Sequence, residues 1–132
     1  MRSRSPAGDT EHPLVLIVDD YEQNRKLARD VLRAAGIRTL EAASGAEAIA
    51  LATTHAPDVI LMDLRLPDMD GTSAARELRG RARTAGIPVV ALSSVPLPGN
   101  GRAIAAFDGY LEKPISVSEF AGQVRRYCEG DA

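Results

Sequence analysis

The sequence predicts an α/β domain of the doubly wound class, in which helices cover both faces of a parallel five-stranded sheet. Three short, continuous apolar runs are rich in β-branched residues, as is typical of strands buried on both faces. These runs are LVLIV (Leu14 to Val18), VILM (Val59 to Met62) and VVAL (Val89 to Leu92). Segments with the apolar period of a helix alternate with the runs, which indicates successive βα units. A chain of 132 residues is long enough for one domain with one core.

Two weaker strand signals complete the sheet. RTLEA (Arg38 to Ala42) and GYLE (Gly109 to Glu112) are less apolar, so we expect both strands nearer the edges of the sheet. Parallel neighbours require right-handed crossovers. We therefore predict a (βα)5 domain with strand order 2-1-3-4-5, whose binding site lies beyond the carboxyl ends of the strands.

The first two helices have clear signals. The first is predicted over Glu22 to Ala35, because apolar residues recur on one face and Gly36 supplies a stop. Ser44 and Glu47 form a capping-box pattern for a second helix, which we expect to end near Thr54. The apolar face of the first helix comprises Leu27, Ala28, Val31, Leu32 and Ala35.

The later helices follow the same reasoning. A third helix with a weaker stripe is predicted from about Gly71 to Arg81. Ser116 and Glu119 repeat the capping-box pattern and predict the start of the last helix. The core-facing stripe of that helix is predicted to be Val117, Phe120, Ala121, Val124 and Cys128.

Composition narrows the class of protein and of partner. The 16 basic and 18 acidic residues give a net charge of −2, which argues against a nucleic-acid surface or a polybasic membrane anchor. Cys128 is the only cysteine, which excludes an intrachain disulfide and fits a reducing, cytoplasmic compartment. Residues 1–13 lack the apolar run of a signal peptide or a spanning helix, so we expect a disordered tail before a domain over residues 14–129.

Acidic residues follow two strands that the predicted order makes neighbours. Asp19 and Asp20 come directly after the first strand, and Asp63 comes directly after the third. At an effective dielectric near 20, two such charges about 4 Å apart repel by roughly 4 kcal/mol. The converging carboxylates therefore need a cation, and oxygen ligands without His or Cys indicate Mg²⁺ rather than zinc.

Two further strand ends add hydroxyl and ammonium groups to the same edge. Ser93 and Ser94 close the fourth strand, and Lys113 closes the fifth. A compact ammonium is suited to holding a phosphoryl oxygen. Carboxylates, a divalent cation, hydroxyl and ammonium together indicate a phosphoryl-transfer site with Asp63 as the nucleophile that forms an acyl phosphate.

The motifs that carry these groups occur in an order that resembles a known family. They are LIVDD (Leu16 to Asp20), ILMDLRLPDMDG (Ile60 to Gly71), VVALSS (Val89 to Ser94) and GYLEKPI (Gly109 to Ile115). From about Leu14 to Glu129 the chain resembles the receiver domain of the response regulators of two-component signalling, a flavodoxin-like fold. The resemblance implies a stand-alone, single-domain regulator rather than an enzyme.

The resemblance also implies roles for the acidic residues. Asp63 would accept a phosphoryl group from a histidine of a sensor kinase or a phosphotransfer protein. Asp20 would bind Mg²⁺ directly, Asp19 would bind it through water or a hydrogen bond, and Arg65 would bind it through its backbone carbonyl.

Other residues would make and tune the switch. By the same resemblance, Ser93 would move toward the phosphoryl group while Lys113 binds it, and Tyr110 would change rotamer inward. Arg65 and Val95 occupy the positions where the family tunes the lifetime of the phosphoryl group. The output would be a change in the surface of the fourth helix, fifth strand and fifth helix that controls a protein partner, in a monomer or weak dimer.

One segment departs from the family pattern. VPLPGNG (Val95 to Gly101) contains prolines and glycines where receivers commonly begin their fourth helix, and the span to Lys113 is shorter than is common. Both residue types disfavour a helix interior. We predict a shortened fourth helix, about Arg102 to Phe107, behind a mobile loop that orders on phosphorylation or partner binding.

Simpler structural readings of the aspartates remain open from the sequence. Asp at a strand end is often a turn former or helix cap, and Asp20 with Gln23 also fits a capping box. Three further aspartates are interpreted as turn or cap residues, namely Asp58, Asp68 and Asp70.

Three other functions are compatible with parts of the same sequence pattern. A haloacid-dehalogenase-type phosphatase needs a second carboxylate two residues after the nucleophile, where this chain has Arg65. A flavodoxin-like nucleotide binder needs a phosphate loop after the first strand, where this chain has DDYEQN. A degenerate receiver that binds a partner without phosphorylation is disfavoured by the intact set of acids, serine and lysine.

Overall fold

The computed structural model describes residues 12–94 and 106–129, and within them the predicted sheet is confirmed. All strand pairs are parallel, in the order β2-β1-β3-β4-β5. The strands are β1 (Leu14–Val18), β2 (Arg38–Ala42), β3 (Val59–Asp63), β4 (Val89–Ser93) and β5 (Gly109–Glu112). The helices in the described residues are α1 (Glu22–Ala34), α2 (Gly45–His55), α3 (Gly71–Arg79) and α4 (Phe120–Cys128).

Side chains of the central strands alternate between two apolar cores, one on each face of the sheet. Leu16 and Val18 of β1 pack with residues of α2 and α3, whereas Val15 and Ile17 pack with residues of α1 and α4. These β1 side chains are at most 1% exposed. Because both faces are covered, continuous apolar strands are required, and this is why the sequence signal for β1, β3 and β4 is strong.

The strand register brings the carboxyl ends of four strands to one rim. Val18 of β1 pairs with Met62, so the residues that follow these two positions emerge side by side. Across the sheet, Asp63 pairs with Leu92, and Ser93 pairs with Glu112. Any polar residue at these strand ends therefore faces one shared opening.

Two helix boundaries follow the predicted signals. The Ser44 hydroxyl accepts the Glu47 amide at 3.2 Å, and the Glu47 carboxylate accepts the Ala43 amide at 2.8 Å. These two bonds fix the start of α2 at the predicted cap, although the Glu47 carboxylate accepts the amide of Ala43 rather than that of Ser44 itself. After α1, Gly36 adopts a φ of 84°, a left-handed conformation that glycine reaches without strain.

Three details of the helix predictions are wrong. Residues 117–119 form a turn before α4, and the Ser116 carbonyl, not its hydroxyl, accepts the amides of Glu119 and Phe120. Val117 consequently precedes the helix and is 66% exposed. Leu27 of α1, which was predicted to face the core, is 42% exposed because it faces the opening at the strand ends. Helix α3 ends at Arg79 rather than Arg81, since the chain then turns.

Some predictions concern residues outside the described ranges. Residues 1–11 of the expected tail are outside the described ranges. The carbonyls of His12 and Pro13 accept hydrogen bonds from Arg38 in β2. Val95 and residues 96–105, which include most of the predicted fourth helix, are also outside. The end of that predicted helix is corrected, because residues 106–108 form a turn in which Phe107 is buried.

Candidate functional site

Three carboxylates meet at the rim where β1 and β3 end. Asp19, Asp20 and Asp63 each place one oxygen within 4.8 Å of the others. Asp19 is 1% exposed, Asp63 is half-buried and Asp20 faces solvent. The structure thus brings together the predicted acids, and we call these residues the acidic cluster.

Asp19 is held in place by donors from two sides. Its Oδ1 accepts the amide of Tyr21 at 2.9 Å, and its Oδ2 accepts the side-chain amide of Asn24 at 3.1 Å. Tyr21, not Asp20, is the residue that caps α1, and its side chain makes no capping bond. The capping interpretation of Asp20 is therefore wrong, and this carboxylate remains at the mouth of the site.

Lys113 supplies the positive charge at the cluster. Its Nζ lies 3.1 Å from Asp19 Oδ2 and 3.5 Å from Asp63 Oδ2, and its side chain is 16% exposed. The Lys113 amide donates to the Ser93 carbonyl at 2.7 Å, which continues the ladder between β4 and β5 beyond the strands. The backbone thus directs the ammonium into the rim.

A cleft of about 510 Å³ opens beside the cluster. Ser93 and Ser94 line it together with Asp63, Arg65 and Lys113. Ser93 is 4% exposed, whereas Ser94 and the Arg65 side chain are exposed. The cleft is therefore polar on several sides and large enough for a phosphoryl group above Asp63.

Tyr110 lies apart from this cleft. It is half-buried on β5, packs against the core that includes Phe107, and borders a separate groove with Glu112 and Gln123. The predicted inward change of the Tyr110 rotamer would therefore start with the side chain at this groove, away from the cleft. Val95, the other predicted tuning position, is outside the described residues.

The loop between β3 and α3 folds back on Asp63. The Arg65 amide donates to Asp63 Oδ1 at 3.3 Å, and Arg65 pairs with Asp70 in an isolated antiparallel bridge. The Gly71 amide donates to the Leu64 carbonyl at 2.8 Å. A Cβ at Gly71 would lie 2.3 Å from the Asp63 carbonyl oxygen, so this close approach requires glycine.

The three other aspartates have the structural roles that the sequence indicated. Asp58 accepts the Leu14 amide at 2.8 Å, at the opposite end of the sheet from the acidic cluster. Asp70 caps α3 by accepting the Ser73 amide at 2.8 Å. Asp68 accepts two amides at the start of α2. Asp68 and Asp70 are thus confirmed as cap residues, whereas the Asp58 carboxylate joins the start of β3 to the start of β1.

The electrostatics of the cluster favour a bound cation. Burial raises the pKa of Asp63, the Lys113 ammonium opposes this rise, and the Asp19 carboxylate adds to it. One ammonium does not neutralise three carboxylates. Opposed ligands of Mg²⁺ lie about 4.2 Å apart, so the observed spread needs only small shifts. The oxygen-only donor set fits this ion.

Asn24 and Arg25 belong to the site but were not identified from the sequence. The Arg25 Nη1 donates to the Asp19 carbonyl at 2.8 Å, and its Nε donates to Glu41 at 3.1 Å. Burial alone would raise the pKa of Glu41, but hydrogen bonds from Arg29 and Arg25 hold it below its ordinary value. The sequence signal that could have identified Asn24 and Arg25 was their position in the first turn of α1, close to Asp19 and Asp20.

No helix in the described part of the chain combines the length and the apolar composition that a bilayer crossing requires.

Comparisons with known proteins agree with this geometry. The family model of the response regulator receiver domain matches residues 15–125. The chain is 39% identical over 120 residues to the polar-differentiation response regulator DivK of Brucella ovis, covering 89% of this chain and 97% of that protein.

Solved structures give the same result. The chemotaxis response regulator CheY4 of Vibrio cholerae matches with a TM-score of 0.80 at 28% identity, over 88% of this chain and 98% of that one. The receiver domain of the sensor histidine kinase PA1611 of Pseudomonas aeruginosa matches with a TM-score of 0.81 at 32% identity, over 89% of this chain and 98% of that one. That structure has a magnesium ion coordinated in its active-site cleft.

These matches decide between the function classes that the sequence left open. They are to signalling proteins, which confirms that the chain is not a metabolic enzyme, and they give no support to a haloacid-dehalogenase-type phosphatase. Receiver domains bind Mg²⁺ at an acidic site and interact with histidine kinases or phosphotransfer proteins and with downstream targets. The chain belongs to the response regulator receiver domain family of two-component signalling.

Proposed function

We propose that this protein is a response regulator switched by Mg²⁺-dependent phosphorylation of Asp63. The observation that carries the proposal is the position of the Lys113 ammonium, which lies within 3.5 Å of both Asp19 and Asp63 at the edge of an open cleft. A structural ion pair alone does not need the additional carboxylate of Asp20 at the same opening. Phosphoryl transfer needs all of these groups together.

The chemistry is an attack by a carboxylate oxygen of Asp63 on the phosphorus of a phosphohistidine. The new bond joins that oxygen to phosphorus, the bond between nitrogen and phosphorus breaks, and the histidine nitrogen keeps the electron pair. Lys113 lies where it can bind an oxygen of the transferred group and offset its charge. The half-buried position of Asp63 limits the access of water to the acyl phosphate.

The residues that would hold Mg²⁺ are the acidic cluster and the carbonyl of Arg65. A bound Mg²⁺ would neutralise the carboxylates and the incoming phosphoryl oxygens. Asp20 faces solvent and is suited to direct contact, whereas both oxygens of Asp19 already accept hydrogen bonds. This difference supports a direct role for Asp20 and a water-mediated or hydrogen-bonded role for Asp19.

The switch is a population shift between two arrangements of the surface near β5. Phosphorylation adds charge at Asp63, and contacts from Ser93 and Lys113 then favour one arrangement, with Tyr110 moving inward. Ser93 ends β4, which pairs with β5 through the positions of Ala91 and Tyr110. The ladder gives a direct route from the cleft to the proposed partner surface.

We further propose that the Arg65 side chain prolongs the phosphorylated state. It is exposed at the cleft, two residues beyond Asp63, where it can cover the phosphoryl group or pair with its oxygens. Val95 is proposed as the second tuning position.

The cellular setting is also a proposal. The phosphodonor is a sensor histidine kinase or a phosphotransfer protein, and the output is a downstream protein. We propose a single-domain regulator in the cytoplasm that acts as a monomer or weak dimer. The match over 97% of the length of DivK supports the single-domain part of this proposal.

The test is the intact mass after incubation with acetyl phosphate and Mg²⁺. We expect one added phosphoryl group on the wild type and none on Asp63→Asn. Asp58→Asn is the matched control, because Asp58 precedes the same strand but binds the Leu14 amide away from the cleft. Mg²⁺ binding without any phosphoryl addition to the wild type would favour the degenerate receiver that acts without phosphorylation.

A further inference from the structure

Asp68 links the loop that follows Asp63 to a different helix of the domain. Its Oδ1 accepts the amide of Gly45 at 2.8 Å, and its Oδ2 accepts the amide of Ala46 at 2.9 Å. These amides belong to the first two residues of α2, whose own cap is Ser44. One carboxylate thus spans the gap between the β3–α3 loop and the start of α2.

The loop also packs closely on α2 at this point. A Cβ at Gly45 would lie 2.6 Å from the side chain of Met69, so the residue next to Asp68 covers the helix start directly. The loop has internal contacts as well, in the bridge between Arg65 and Asp70. The β1–β3 ladder fixes the position of Asp63 relative to β1. The internal contacts fix the shape of the loop beyond Asp63 but do not join that part of the loop to α2.

The start of α2 is itself joined to the acidic side of the site. The Asp19 amide donates to the carbonyl of Ala42 at 3.1 Å, and Ala42 is followed by Ala43 and the cap Ser44. A short path of bonded and hydrogen-bonded atoms therefore runs from Asp68 to Asp19. The two ends of this path carry opposite walls of the proposed cation site.

We propose that Asp68 is a positioning residue, which sets the distance between the Arg65 carbonyl in the β3–α3 loop and the Asp19 and Asp20 side of the site, whereas the β1–β3 ladder places Asp63. This inference rests on the proposed function, because it concerns the affinity of the site for Mg²⁺. Asp68 itself does not touch the ion. Its effect is to keep the two walls at the spacing that one small, octahedral cation demands.

The chemistry of Asp68 suits this role better than that of a neutral side chain. Two adjacent amides at a helix start need two acceptor oxygens, and the positive end of the helix dipole favours an anion. The amides of Gly45 and Ala46 lower the pKa of Asp68, so the carboxylate stays ionised at neutral pH. An asparagine offers one oxygen and would keep only part of the link.

The experiment measures Mg²⁺ binding to the full chain by isothermal titration calorimetry, with denaturant unfolding in parallel. Asp68→Ala and Asp68→Asn are compared with Ser44→Ala, which removes the hydroxyl that caps the same helix by accepting the Glu47 amide. We expect all three to lower the unfolding midpoint. Only the Asp68 variants should weaken Mg²⁺ binding, by about tenfold for alanine and less for asparagine.

A second measurement uses the same variants in phosphorylation by acetyl phosphate at increasing Mg²⁺. The Asp68 variants should need more Mg²⁺ but reach nearly the wild-type rate at saturation, as expected of a residue that acts through the ion site. Equal loss of Mg²⁺ affinity in Ser44→Ala and Asp68→Ala would show that helix stability is the cause and would overturn the proposal. A wild type that binds no Mg²⁺ would refute the proposed function instead.

Discussion

Replacing Asp63 by asparagine should stabilise the protein when Mg²⁺ is absent. The oxygens of the acidic cluster lie within 4.8 Å of one another, and Lys113 lies 3.5 Å from Asp63. At an effective dielectric near 20, each of the two repulsions on Asp63 is about 3.5 kcal/mol and the attraction to Lys113 is about 5 kcal/mol. Removing the charge therefore gains about 2 kcal/mol before screening. Since Asp20 is exposed, we expect about 1–2 kcal/mol.

The sign agrees with the titration of Asp63. Burial and Asp19 raise its pKa in the folded state despite Lys113, so ionisation is less favourable there than in the unfolded chain. The favourable contribution of the protonated group is present below the unfolded pKa and is lost as pH rises through the folded pKa. The gain from Asp63→Asn should thus be full at neutral pH and should disappear in acid.

The assay is urea unfolding at pH 7 with EDTA and again with Mg²⁺. In EDTA the variant should be the more stable protein. With Mg²⁺ at about 100 times its dissociation constant, the wild type should gain about 2.7 kcal/mol, and the variant should gain much less, so the order reverses. Asp58→Asn should show neither effect. A variant that is less stable than the wild type in EDTA would refute the charge-repulsion reasoning.

Four other changes test separate parts of the structure. Lys113→Met should destabilise the metal-free protein by about 3 kcal/mol, because the acidic cluster loses its only neighbouring ammonium in the described residues; urea unfolding in EDTA that matches the wild type would contradict this. Glu41→Gln should cost about 1–2 kcal/mol at pH 7. Its difference from the wild type should vanish as pH falls through the lowered pKa of Glu41, and a pH-independent difference would exclude an ionic origin. Gly71→Ala should lower the free energy of unfolding by about 1–3 kcal/mol and slow phosphorylation, because the added Cβ meets the backbone at the end of β3. Urea unfolding and intact mass measure these two effects. Wild-type values in both assays would show that the loop can move to accept the methyl group. Arg65→Ala should shorten the half-life of the phosphorylated protein, whereas a change of the exposed Arg76 on α3 to alanine should not. An unchanged or longer half-life of the Arg65 variant would count against the shielding role.

The sheet and the main site residues could be predicted because their signals are local. A strand covered on both faces must be apolar along its whole length, as β1, β3 and β4 are. Once the strand order is known, residues directly after parallel strands meet at one rim. The convergence of Asp19, Asp63 and Lys113 needed no further information.

The incorrect details arise where two structures share one local pattern. The sequence at Ser116 and Val117 fits the first turn of a helix as well as it fits a turn that precedes the helix. Only the hydrogen bonds to the Ser116 carbonyl distinguish these two conformations. Leu27 fits the apolar stripe of α1, but it lines a cavity of about 300 Å³ beside Lys113 rather than the core. The apolar period predicts which face of a helix is apolar, but not whether the core or an open cavity lies against each turn of that face.

The missed contacts join residues far apart in the chain. Arg25 reaches a carbonyl at the end of β1 while also binding Glu41 in β2, and Asp68 reaches the amide of Gly45, 23 residues earlier. Such pairs depend on the relative placement of two elements to within an ångström. A single sequence indicates that Asp68 caps something, but not which helix.

The Asp108 carboxylate fixes the position of the chain where it returns to the sheet before β5. It accepts the Val89 amide at 2.8 Å and the Arg79 guanidinium at 2.6 Å, while its own amide donates to the Val89 carbonyl. β5 therefore cannot slide along β4 without breaking all of these bonds. Insertions or deletions between Ser94 and Ala106 should leave the pairing of the last two strands unaltered, so the length of that connection is free to diverge among relatives while Lys113 keeps its place.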